Sequence, residues 1–470
     1  MPQINLPMVG GSYADDKTVI DIQTCINLYA EGAQGSQKSP SALLSTPSIT
    51  TLYDAQDNSP CRGMAALSNG MVYAVFGNDL YRLNEIFEKI PDIYVEGTKP
   101  IIIAENSRYA CFVSDNVVYT LDMQTEQWQP YGESLLYPAD DVTTLAQRFI
   151  FNRRDSGQIF WSDVLSTDID ALSYATAEAS PDNVTAIKAH QKQLWVFGET
   201  TTEIWYATGD KDLPFAPVQG VVIGAGCLQP QTIAQLGESL IWLVNTDSGD
   251  SQIVMSQGYQ LQRITNHALE KELRCYNKAD ASAYIYQEAG HSFYVLTFPK
   301  ANKTWVFDTS TSLWHERAIF KDGKFLAHPA KHHVMHRGKH IFSHSDKALL
   351  MGLGEGGVDR IGDEVLPQVR ERTVHATNRT LGVVRHHRLT LLAQQGTSSS
   401  SLLNPQVMLS WSDNDGVTWS DTRWRGLGKQ GQYQYRTFWT RLGASRNRAY
   451  RFRLTDAADL TIIGAELEVS

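Results

Sequence analysis

The sequence predicts an all-β protein, a β-propeller of six or seven blades with an irregular N-terminal arm and a C-terminal β-sandwich domain. Three observations predict it. An apolar strand, a short Gly/Asn/Asp turn and a second apolar strand recur along most of the chain; this texture changes near residue 355; and the sign of the net charge changes with it. The 470 residues, 42% hydrophobic and 20% charged, suffice for two or three domains each with a full core.

The first sixty residues do not fit the repeat. Residues 27–47 are rich in Ser, Gly and Pro, so residues 1–60 are expected to form an irregular arm along another surface. Hairpins are expected at 71–83 (MVYAVFGNDLYRL), 108–122, 148–163, 193–208, 240–258 and 292–309, with a weaker one at 339–353 (KHIFSHSDKALLMGL). Each follows another strand-like run, for example 63–67, 100–105, 142–147, 184–190 and 231–237. Units of three or four strands spaced roughly 40–50 residues apart have the period of propeller blades, not of a helical solenoid. Closing them into a ring over residues 61–354 leaves only short sheet edges, and the weak last unit leaves six or seven blades open. Residues 355–367 read as a Gly-rich linker. Strand-like runs at 386–394, 405–412, 433–443, 449–456 and 460–470 make 368–470 a sandwich of about 100 residues.

Residues 1–365 carry 27 basic and 43 acidic side chains, net −16; residues 366–470 carry 14 basic and 8 acidic, net +6. Thirteen of those 14 basic residues are Arg, which favours fixed bidentate pairing over loose solvation. Aromatics lie among them, with Trp424, Tyr433, Tyr435 and Trp439 beside Arg423, Arg425, Arg436 and Arg441. Alternation such as Tyr433-x-Tyr435 is also that of a half-buried strand, so a basic domain docking on an acidic neighbour is preferred to direct DNA binding. The N-terminal residues carry no signal-peptide pattern, and no apolar run of about 18 residues occurs, so neither secretion by a signal peptide nor a membrane segment is expected. Five scattered cysteines without CxxC fit neither a disulfide framework nor a zinc site and are expected to be reduced, mostly buried thiols.

Motifs for chemistry are sparse. Gly352-x-Gly354-x-x-Gly357 has dinucleotide-binding spacing but neither follows a parallel strand nor opens a helix, and GxxxxGK[ST], HExxH, GxSxG and EF-hand patterns are absent. Six of the 13 histidines fall between His328 and His344, but Gly338 implies a turn and four-residue spacing on a strand separates ligands by about 13 Å, so no metal site is assigned. Ser412-Asp-Asn414-Asp-Gly416-Val-Thr418-Trp419 resembles an Asp-box, with Asn414 at the Asp position. It predicts a structural hairpin turn, with Ser412, Asn414 and Thr418 bonding the loop, Gly416 left-handed and Trp419 plugging the core beneath.

Several stretches also resemble the packaged-DNA stabilisation proteins of short-tailed phages, described as the tail hub or nozzle. The resemblance covers nearly the whole chain. It is carried by Asn27-Leu28-Tyr29 and Leu44-x-x-Pro47, by residues 197–215, Gly226-Cys227 and residues 258–273, and by residues 423–454. Most specific are Gly428-Lys429-x-Gly431, Trp439-x-Arg441-Leu442-Gly443 and Arg446-x-Arg448; Ser48 departs from the Pro-Gly that many relatives carry at Pro47-Ser48. The resemblance implies a non-enzymatic virion tail protein, made in the host cytoplasm, without cofactor or metal. It implies a homo-oligomeric ring, expected to be a hexamer, below the portal and its adaptor. Such a ring extends the DNA channel, retains the packaged genome, lets double-stranded DNA pass without sequence-specific binding, and docks a tail needle or tailspikes.

An acidic propeller and an Arg-rich sandwich could meet head to tail in such a ring. Arg423, Arg425, Arg436, Arg441, Arg446 and Arg448 are accordingly candidate subunit-interface residues, with the lumen lined by neutral or acidic groups. Two other functions fit a propeller: a receptor- or glycan-binding tail protein, and a glycoside hydrolase, for which no paired acid and nucleophile can be found.

Overall fold

A computed structural model describes residues 2–14, 21–32, 39–57, 59–114, 117–130, 137–177, 180–245, 251–376, 382–396 and 404–470. Six consecutive stretches each contribute four antiparallel strands: blade 1 (Cys61–Ala66 to Phe87–Tyr94), blade 2 (Ile102–Glu105 to Gln127–Pro130), blade 3 (Val142–Leu145 to Tyr174–Thr176), blade 4 (Val184–His190 to Phe215–Ile223), blade 5 (Ala234–Leu236 to Gln260–Arg263) and blade 6 (Ser282–Glu288 to Leu313–Glu316), the last in a sheet that continues through Ile22–Ile26. A seventh sheet is assembled from both ends of the propeller sequence. Strands Ala330–His336, Lys339–His344 and Leu349–Gly354 are completed by Ser48–Asp54, antiparallel to Leu349–Gly354. The weak unit at 339–353 is thus a blade whose outer strand lies 300 residues earlier in the sequence.

The strands read as unbroken apolar runs because both faces are buried. In blade 1, Tyr73 and Val75 face Phe112 and Leu121 of blade 2, while Val72, Ala74 and Phe76 face Ile341 and Leu350 of blade 7. Phe149, Phe151 and Phe160 pack on blade 2, and Ile150, Ile159 and Trp161 on blade 4. Blades 4 and 5 meet through Phe197 and Trp242, blades 5 and 6 through Leu243 and Leu296, and blades 6 and 7 through Val295, Phe342 and Met351. Every neighbouring pair has its own apolar core, and the ring closes on itself.

The sandwich is larger than residues 368–470. One sheet holds Arg370–Ala376, Arg448–Leu454, Gln406–Ser412 and Arg423–Gly426, joined at its other edge by Ile22–Ile26. The facing sheet holds Val384–Ala393, Ile462–Val469 and Thr437–Thr440, joined by Gln3–Leu6, Leu28–Gly32 and Ser41–Ser45. Leu6, Cys25, Leu28 and Leu43 from the N-terminal segment share its core with Leu389, Leu409, Phe452 and Leu467.

Two expectations are corrected. Residues 1–60 are not an irregular arm over their described part: their strands belong to both domains. Residues 355–367 are not a flexible linker: Val358–Ile361 and Glu364–Pro367 form a hairpin beside Ser48–Asp54. Gly357 there has φ +67, and a Cβ would lie 2.3 Å from the Arg370 guanidinium, so this glycine serves close packing.

Candidate assembly surface

Arg423–Gly426 is the last strand of its sheet and Thr437–Thr440 the last of the facing one. Their edges are sewn together by arginine. Arg423 Nη1 donates to the carbonyls of Thr440 (3.1 Å) and Arg441 (3.3 Å), Arg425 Nε donates to Phe438 O (3.1 Å), and Trp439 Nε1 returns to Arg423 O (3.0 Å). Edge carbonyls that would otherwise template another strand are thereby satisfied. Arg448 departs from the interface expectation: it is 2% exposed and holds Asp413 through Nε (2.6 Å) and Nη2 (2.7 Å). An alternating strand turns every second residue inward, and Arg448 is on the inward parity with Tyr450 and Phe452. Arg436, Arg441 and Arg446 are exposed, and Arg436 and Arg441 have no side-chain partner among the described residues. Around them lie Tyr433, 71% exposed, and Trp424 and Tyr435, also exposed.

The Asp-box-like turn forms the bonds its residues predict. Ser412 Oγ accepts from Gly416 N (2.9 Å), Asn414 Oδ1 accepts from Thr418 N (2.9 Å), Asn414 Nδ2 donates to Thr418 Oγ1 (2.8 Å), and Gly416 has φ +85. Trp419 does not plug the core: it is half-buried, with the Arg451 guanidinium 4.0 Å from its ring centroid.

The propeller's centre holds a cavity of about 210 Å³, with Met64, Ile103, Lys188, Gln231, Ser282 and Lys331 in its wall. Asp141, also there, is pushed up to about 6 by burial, and its carboxylate accepts from Ile187 N (2.9 Å) and Val142 N (2.8 Å), tying blade 3 to blade 4. A larger, mainly apolar groove of about 500 Å³ lies at the outer strands of blades 3 and 4, between Tyr174, Trp205, Leu213 and Val222. Among the described residues, no three His, Cys, Asp or Glu side chains gather as metal ligands, and no helix is long and apolar enough to cross a membrane.

The profile of the family described as bacteriophage P22 Gp10, beta-propeller, matches residues 4–350. That described as bacteriophage P22 Gp10, beta-sandwich, matches residues 371–470. The chain belongs to the bacteriophage P22 Gp10 family. It is a Gp10-like phage tail protein. No curated protein matches. Solved structures match only at low identity and low TM-score. The extracellular domain of BT4673 from B. thetaiotaomicron has 8% identity over 75% of this chain and 44% of that one, TM-score 0.45. The N-terminal domain of Nup159 has 10% identity over 70% and 98%, TM-score 0.40, and the computationally designed Ika8 protein 9% over 65% and 99%, TM-score 0.40. The chain spans less than half of the first of these.

In this Gp10-family chain, the two matched regions meet at a joint that the sequence alone does not reveal. Asn27, at φ 54, donates through Nδ2 to Ala318 O and Val369 O (2.8 Å each) and accepts from Ala318 N (2.9 Å). Arg372, fully buried, donates to the carbonyls of Met8, Gly11, Thr24 and Pro7 and to Gln23 Oε1 at 2.8–3.2 Å. His291 of blade 6 bridges Asp308 and Glu31, 2.8 Å from each; although burial opposes it, these carboxylates raise the imidazole above its usual range. Asn27-Leu28-Tyr29 was the one part of this joint with a signal in the sequence.

Proposed function

We propose that this Gp10-family protein assembles as a closed ring, a hexamer, beneath the portal adaptor of a short-tailed phage. There it continues the DNA channel, retains the packaged genome without enzymatic activity, and offers docking surfaces to a tail needle or tailspikes. The observation that carries this is the family match over both domains. The propeller bore supports a channel between subunits rather than through one. Its wall is made of inner-strand side chains such as Met64, Ile103 and Lys331, which close around a cavity of about 210 Å³. The charge division supports lateral contact, with Arg436, Arg441 and Arg446 of one copy facing an acidic propeller of the next, while Arg423, Arg425 and Arg448 serve within the chain. The apolar groove on blades 3 and 4 is the docking place this reading favours.

The test is the mass of the purified protein, alone and with its adaptor ring, by light scattering and negative-stain imaging. A closed ring of about six copies on the adaptor is expected. A persistent monomer without adaptor affinity would overturn the ring and bring glycan binding forward.

A further inference from the structure

All seven blades reach the wall of the cavity at the propeller's centre, from Met64 of blade 1 to Lys331 of blade 7. Two cations there stand unpaired. Lys188 of blade 4 and Lys331 have no hydrogen-bond or ion-pair partner among the described residues, whereas Lys99, in an adjoining cavity of about 150 Å³, pairs with Asp140 at 3.4 Å. Gln231 and Ser282, in the same wall, also have no side-chain partner among the described residues, and Ser282 is only 6% exposed. A buried hydroxyl without a partner is costly unless something in the cavity meets it. Burial also pulls Lys331 below its usual range, against the opposing influence of Cys61 and Asp346. Asp141 is the carboxylate in this wall. It accepts from Ile187 N and Val142 N and forms an ion pair with neither ammonium, so two lysines face one anion and one positive charge is left over.

The backbone is shaped to place these groups. In blade 7, Ala330 stands opposite His344 but His333 opposite Phe342, three steps against two, so Lys331 and His332 form a bulge and both border the cavity. The inner strands of blades 1 and 4 bulge as well, at Arg62 and at Thr185, which also line the bore. A bulge breaks the alternation of a strand and re-aims a side chain. Ring closure does not require one, since the inner strands of blades 2, 3, 5 and 6 pair without a shift.

We propose that the bore binds a small organic monocarboxylate, its head group between the ammoniums of Lys188 and Lys331 and its carbon body against Met64, Ile103 and Ile187. Blades 4 and 7 are three places apart in a ring of seven, so the two lysine stems enter the cavity from facing walls and one carboxylate accepts from both. Gln231 and Ser282 add neutral donors. A single negative charge matches the one left over, and the apolar part of the wall selects an organic anion over an inorganic one.

The test titrates the full chain with para-bromobenzoate and with its neutral counterpart para-bromobenzamide, by calorimetry at fixed ionic strength. Saturable binding of the carboxylate, at least tenfold tighter than that of the amide, is expected, and Lys188→Met and Lys331→Met should each weaken it at least tenfold. Crystals of the unaltered protein soaked in the carboxylate should show an anomalous bromine peak inside the bore. Equal binding of carboxylate and amide, binding unchanged in Lys331→Met, or a bore holding only water after soaking would overturn the proposal. Should the methionine variants fail to fold, the carboxylate-against-amide comparison and the bromine position in the unaltered protein decide it.

Discussion

Asn27 holds a left-handed backbone and spends its side chain on three backbone groups of two other segments, all buried. Asn is among the few residues that tolerate this conformation, and only its amide supplies both donor and acceptor at that reach. Asn27→Ala should therefore cost about 3 kcal/mol or more, since three buried polar groups lose partners together, and Asn27→Gly, which relieves the backbone, should recover little. Urea denaturation of both variants checks this; a loss within 0.5 kcal/mol of wild type, roughly the effect of a surface substitution, would contradict it. Cysteine chemistry gives a second residue-scale expectation. Burial pushes Cys25 and Cys61 up to about 11 and Cys227 up to about 12, and raises Cys111 too, while Cys275 alone is exposed. One thiol per folded chain should react with an aromatic disulfide reagent, and Cys275→Ser should abolish the fast phase. Residue types were legible from sequence in the Asp-box-like turn, where every bond is local. They were not in Arg448, whose partner Asp413 lies 35 positions away.

At the scale of elements, the sequence disclosed strands wherever both faces are apolar and hid them wherever a partner comes from afar. VYAVF in blade 1 announces itself; Ser48–Asp54 does not, because its pairing with Leu349–Gly354 spans about 300 residues and it has only Ile49 fully buried among its apolar side chains. Blade 7 also obscured its own pattern with histidines. His328 and His332 are pulled down to about 3, and His333 and His344 to about 4, by burial. The sign follows directly. The unfolded chain binds protons near pH 6.5 that these folded imidazoles refuse, so their contribution is complete above that pH and is lost as pH falls from about 6.5 toward 3. His291 acts oppositely: its raised value stabilises below pH 6.5 and fades as pH rises through it. Hydrogen exchange at pH 5 against pH 7.5 should show residues 330–344 opening first, while the 291–298 strand is comparatively protected. Loss of protection beginning in blades 2 to 4 instead would refute the assignment.

The whole molecule is a ring and a sandwich laced by one N-terminal segment, and a sheet that runs from blade 6 through Ile22–Ile26 into Arg370–Ala376 makes them mechanically continuous. That continuity bears on how the charge division can act. A basic sandwich fixed to an acidic propeller cannot swing to satisfy its own charge, so exposed arginines left over after internal pairing remain available to another copy. Arg436 and Arg441 are the clearest of these, since neither has a side-chain partner among the described residues, whereas Arg423 and Arg425 already close the sandwich edge. Arg436→Glu with Arg441→Glu should leave the unfolding midpoint of the isolated chain nearly unchanged, because both side chains are solvated. Ring formation on the adaptor should weaken at least tenfold, about 1.4 kcal/mol, because each reversal replaces attraction by like-charge contact at every subunit boundary. Raising the salt concentration should mimic the substitution in the unaltered protein and have less effect on the double variant. The discriminating comparison is Arg423→Glu, which removes bonds to the carbonyls of Thr440 and Arg441 and should lower stability as well as assembly. If the Arg436/Arg441 variant assembles like wild type at low salt, the Arg-rich face is not a subunit contact, and the acidic propeller must find its complement elsewhere.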